Sequence, residues 1–81
     1  MMQPEQVEKI IAAGLSCEHL QVAGDGHHFE ALIVSAEFAG KNRMQRQQRV
    51  NEVLRQHFKS GELHALSMKT QTPEEWSATR G

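Results

Sequence analysis

The chain has 81 residues, of which 38% are hydrophobic and 23% charged, and its formal net charge is −1 at pH 7. That length holds one domain, which buries about 60% of the surface its unfolded chain exposes, and the composition excludes disordered and collagen-like classes. Cys17 is the only cysteine, so an internal disulfide and a self-contained thiolate site for zinc or an iron–sulfur cluster are also excluded.

No apolar run approaches the roughly 20 residues that span a bilayer. The segment MMQPEQVEKI carries neither a basic n-region nor an apolar h-region. A soluble, cytoplasmic protein with no membrane association is expected, monomeric or weakly homodimeric when alone.

The first predicted element is a helix from Pro4 to Leu15, with Val7, Ile10, Ile11 and Leu15 at helical spacing and Pro4 suited to the first turn. A short alternating run with Leu20 and Val22 on one face follows as strand 1. Gly24-Asp25-Gly26-His27-His28 is rich in residues that accept a hairpin's positive φ angles. Strand 2 is expected from Phe29 to Ser35. Its consecutive Ala31, Leu32, Ile33 and Val34 predict a central strand buried on both faces.

Phe38-Ala39-Gly40 marks a bend, and Lys41 to Met44 is read as a short helical turn before the main helix. That helix is placed from about Gln45 to Lys59, on the spacing of Val50, Val53, Leu54, His57 and Phe58, and Ser60-Gly61 ends it. Strand 3 is placed from Leu63 to Lys69, with Leu66 and Met68 on one face with His64. Thr72-Pro73-Glu74-Glu75-Trp76 starts a terminal helix: Thr72 caps it, Pro73 opens it and Glu75 completes a capping box. Trp76 is expected to pack on the body.

The order is α-β-β-α-β-α. A hairpin makes strands 1 and 2 antiparallel, and a strand–helix–strand passage makes strands 2 and 3 parallel with a right-handed crossover. The expected architecture is α+β: a three-stranded mixed sheet, order 1-2-3, with helices packed on one face. This is the outline of a class II KH-like fold, a single domain over residues 1–81.

Charge is unevenly placed. Lys41, Arg43, Arg46, Arg49, Arg55 and Lys59 face only Glu52 within their segment. Such a face is commonly just solvated, yet it is also suited to phosphate or to an acidic protein surface. A KH domain grips nucleic acid with a Gly-x-x-Gly loop, and around Gly40 there is a single glycine. No hydrolase elbow, phosphate loop or His-Glu-x-x-His motif is present, and Cys17 has no evident base beside it. The chain is therefore read as a non-enzyme.

The stretches Gly24-Asp25-Gly26-His27-His28-Phe29, Phe38-Ala39-Gly40-Lys41 with Arg46 and Val50, His64-Ala65-Leu66-Ser67-Met68-Lys69, and Thr72-Pro73-Glu74-Glu75-Trp76 together resemble the BolA family in order and spacing over nearly the whole chain. The resemblance implies association with a monothiol glutaredoxin around a two-iron two-sulfide cluster. The glutaredoxin cysteine and a glutathione thiolate would hold one side. A histidine at the start of strand 3 and a histidine or cysteine in the loop between strands 1 and 2 would hold the other. Those positions map onto His64 and His28, with His27 as the alternative in the loop. The roles implied are iron–sulfur assembly or trafficking, or iron- and redox-linked signalling.

Taken alone, one histidine at a strand start is more often a surface or hydrogen-bonded residue. Parallel strands 2 and 3 would nevertheless bring residues 28 and 64 to the same end of the sheet, on axes about 4.8 Å apart. His28 is favoured over His27 because it immediately precedes Phe29. His19 and His57 are read as structural, and Cys17 as a half-buried small residue. The runner-up function is a transcriptional regulator binding DNA weakly through Lys41, Arg43, Arg46 and Arg49.

Overall fold

A computed structural model describes residues 2–80. Helix α1 spans Pro4–Gly14. The Gln3 N–H donates to the Gln6 side chain at 2.7 Å, satisfying one amide ahead of the first turn. Val7 and Ile11 are buried, and so is Leu15, which follows the helix in extended backbone.

Strands β1 (His19–Gly24) and β2 (His28–Val34) pair antiparallel, and β3 (Ala65–Gln71) lies parallel to β2 on its other side. The sheet order is β1-β2-β3, the mixed α+β architecture that the alternation of elements predicts. Val22, Phe29, Ala31 and Ile33 form one face and are buried with Val7 and Ile11 of α1 and Val50 and Leu54 of α2. Helix α2 spans Arg43–Ser60 and α3 spans Pro73–Arg80.

Strand β2 is buried on both faces only near its end. Val34 is buried, Leu32 is half-buried and Glu30 is exposed. Helices α1 and α2 cover the other face, and α3 reaches this one at Trp76. There the Trp76 ring stacks on His19 with centroids 4.5 Å apart and planes at 20°. His19 stands opposite Val34 in the ladder.

Several boundaries differ from the sequence reading. The short helical turn lies at Ala36–Phe38, not Lys41–Met44, because the Ser35 hydroxyl accepts from the Glu37 N–H at 3.1 Å and starts it there. Helix α2 begins at Arg43 because Asn42 and Gln45 form a reciprocal capping box, with bonds of 2.9 and 3.0 Å. Strand β3 begins at Ala65 instead of Leu63. Leu63 is buried and its N–H donates to the His57 carbonyl at 3.0 Å, so this residue closes the end of α2. His64 consequently precedes the strand and does not share a strand face with Leu66 and Met68.

Candidate metal centre

The β1–β2 turn and the entrance to β3 meet at one end of the sheet, since His28 stands opposite Ala65. The turn is built by Asp25. Its Oδ1 accepts from the backbone N–H groups of both His27 and His28, each at 2.9 Å. Those two bonds, with the His28 one the larger, hold the Asp25 carboxyl below the usual carboxylate range. Gly26 adopts φ 97°, which a side chain at that position would resist. At Gly24 a Cβ would lie 2.5 Å from the His28 carbonyl oxygen, so only glycine permits this close crossing.

This turn sends the two histidines in different directions. The His27 ring faces His64, with centroids 6.3 Å apart and planes at 29°. His28 is directed along the sheet, where its Nε2 lies 3.2 Å from the Ser67 hydroxyl. The structure thus brings His27 and His64 together and leaves His28 beside them. All three are exposed. His27 and His64 line a shallow cavity of about 360 Å³ with Met2, Gln6, Gly26 and Glu62.

Two imidazoles are a borderline, nitrogen-only donor set suited to one iron of a cluster. Among the described residues no group of three His, Cys, Asp or Glu side chains is arranged to hold a metal ion. Asp25 Oδ1 is engaged by the His27 and His28 amides. Glu62 turns to His57, with Oε1 3.1 Å from Nδ1. Cys17 lies ahead of β1, at the opposite end of that strand from the turn. It is half-buried, as read from the sequence, and its thiol donates to the Leu15 carbonyl at 3.4 Å. Burial and, secondarily, Glu37 push that thiol's pKa up, which disfavours a thiolate. The described residues therefore offer a metal two imidazoles here and no thiolate.

The four candidate nucleic-acid residues divide into two pairs. Lys41 and Arg43 are exposed at the start of α2. Arg46 is committed inside the fold: it donates to the carbonyls of Lys41 and Thr70 and pairs with Glu75 at 2.7 Å, over the Phe38 ring. Arg49 donates to the Gly14 carbonyl at 2.9 Å and lies 3.6 Å from Glu37. Sequence reasoning missed Asp25 and Ser67 as the groups that orient the histidines. An Asp-Gly pair inside a hairpin turn was the available signal for the first.

A mixed three-stranded sheet under two helices, with histidines gathered where the hairpin turn meets the parallel strand, defines a small KH-like α+β domain with an open imidazole pair. The chain belongs to the BolA family: the family model described as "BolA-like protein" matches residues 2–75. It is 33% identical over 79 residues to the acid stress protein IbaG of Escherichia coli, covering 98% of this chain and 94% of that one. It is 38% identical over 60 residues to the DNA-binding transcriptional regulator BolA of Haemophilus influenzae, covering 74% of this chain and 57% of that one. The structure of a BolA homologue from Coxiella burnetii superposes with a TM-score of 0.86 at 37% identity, covering 95% and 99% of the two chains.

Proposed function

We propose that this protein is a non-catalytic partner of a monothiol glutaredoxin, and that His64 and a histidine of the β1–β2 turn ligate a two-iron two-sulfide cluster shared with it. The glutaredoxin cysteine and a glutathione thiolate would complete the ligand set. The observation that carries this reading is the approach of the His27 and His64 rings to 6.3 Å at an exposed end of the sheet. Position before Phe29 argues for His28 as the turn ligand, but ring direction favours His27, because His28 is engaged with Ser67.

When bound, the cluster would supply one-electron redox capacity. The protein's part is to present neutral imidazole nitrogens. Imidazole in place of thiolate raises a cluster's reduction potential, and a protonated ring cannot ligate, so retention should fall with pH. A relative named an acid stress protein accords with that sensitivity. The deciding experiment mixes the protein with apo monothiol glutaredoxin, glutathione, iron and sulfide, and records visible circular dichroism. A spectrum distinct from that of the glutaredoxin alone, and altered by His64→Ala, supports the reading; an identical spectrum for parent and variant removes His64 from the site.

A DNA-binding regulator remains the second reading, favoured by exposed Lys41 and Arg43 and by the relative named as such. It is the weaker one, because Arg46 and Arg49 are spent on internal contacts.

A further inference from the structure

The sheet has two edges, and the chain treats them differently. At β1 the Glu8 carboxylate of α1 accepts from the Val22 N–H at 3.4 Å, covering that edge in the manner by which proteins prevent strand-on-strand association. At β3 the Gln71 carbonyl accepts from the Ser35 N–H at 3.0 Å and so faces the β2 side. The Thr70 carbonyl accepts from Arg46 at 3.2 Å and faces the free edge. Backbone groups alternate along a strand, which turns the N–H and C=O of Leu66 and Met68 to that free edge as well. Among the described residues, nothing outside the sheet hydrogen-bonds to them.

Beside this edge the first turn of α2 forms the second wall of a groove of about 780 Å³. Lys41, Arg43, Met68 and Lys69 line it, and the Arg46–Glu75 pair closes one end. The three cations other than Arg46 are exposed, and among the described residues none has an ion-pair partner. Leu66 and Met68 are half-buried.

We propose that the free edge of β3 docks an extended acidic segment of a partner protein, which adds as a fourth strand and sets its carboxylates on Lys41, Arg43 and Lys69. A row of outward N–H and C=O groups is complementary to another peptide backbone, and alternate apolar side chains of the guest would meet Leu66 and Met68. The cations select an acidic guest and speed its encounter. A nucleic acid would use the cations but leave the backbone row unread, and the groove residues include no aromatic ring for bases to stack on. This surface carries its cations at the Thr70 end, about 20 Å along the chain from His64 at about 3.3 Å per residue, while its Leu66 end lies two residues from that histidine. It goes beyond the glutaredoxin reading and does not depend on it.

The test titrates the isotope-labelled full chain with a synthetic peptide of about ten residues alternating valine with glutamate or aspartate, long enough to run the length of an edge strand. A second titration uses the same peptide N-methylated at alternate residues, and a third uses a single-stranded oligonucleotide. The expected result is saturable amide shifts at Leu66, Met68 and Lys69. Affinity should fall at least about tenfold for the N-methylated peptide, which keeps the charge and loses the ladder, and for the double variant Arg43→Glu with Lys69→Glu. Equal binding of the methylated peptide, no shifts at millimolar peptide, or an oligonucleotide that shifts the same amides at lower concentration would each overturn the proposal. The double variant should leave the reconstituted cluster spectrum unchanged, which separates this surface from the proposed centre.

Discussion

His64 stands outside β3 on a segment anchored by buried Leu63, so its ring contributes contact only at the surface. His64→Ala should therefore change stability by no more than about 0.5 kcal/mol, as exposed substitutions usually do. Thermal denaturation of the apo chain checks this, and cluster retention in the heterodimer should fall in the same variant. His27→Ala should reproduce that loss more fully than His28→Ala, because ring direction in the turn puts His27 toward His64. Comparing the two single variants by visible circular dichroism decides it. At Gly24 the obstacle to a Cβ is the His28 carbonyl, which is backbone and cannot rotate away. Gly24→Ala should cost about 1–3 kcal/mol in urea denaturation, the range for forced overpacking, and should displace the turn that carries both histidines. The presence of histidines at this turn was legible in the sequence. Which one faces His64 was not, because that depends on how Asp25 and Gly26 fold the turn.

Among the elements, α3 is held by an arrangement that was half legible. The Thr72–Glu75 capping box was readable from spacing, and both of its bonds form, at 2.8 and 3.2 Å. That Glu75 also takes Arg46 was not readable, since the two lie on elements joined only by tertiary packing. The same contact takes Arg46 out of the basic stripe to which its sequence position assigns it. Arg46, followed by the Thr72 amide, lowers the Glu75 pKa from 4.5 to about 2. A carboxylate with a depressed folded pKa stabilises the fold above its unfolded value and ceases to do so as pH falls through the folded one. Docking of α3 should thus be pH-independent through Glu75 above about 4.5 and weaken between there and about 2. Glu75→Gln should flatten the melting-temperature profile in that acid window while lowering it at neutral pH.

At the scale of the whole molecule, the sheet order was legible because two independent signals agreed: the apolar run of β2 marks a central strand, and the β2–α2–β3 passage allows one hand of crossover. Burial of the outer face was overestimated: along β2 Glu30 is exposed, Leu32 is half-buried and only Val34 is buried. Among the described residues no helix is long and apolar enough to cross a membrane. The charge distribution sets the limit on DNA binding. With Arg46 and Arg49 committed, the cations left near the α2 start are Lys41, Arg43 and Lys69. At about 0.9 per phosphate neutralised, the plot of log affinity against log salt should have a slope no steeper than about −3. Filter binding or anisotropy across a salt series measures that slope, and a steeper one would mean that a wider basic surface is engaged.

The stacking of Trp76 on His19 gives the protein an intrinsic optical gauge. The chain has one tryptophan and no tyrosine, so its near-ultraviolet emission comes from a single indole lying 4.5 Å from an imidazole. Unseating α3 would carry that indole from the ring it rests on into water, so a change in the unlabelled protein's emission that outpaces the loss of helical signal in acid would time its release before the rest of the fold gives way.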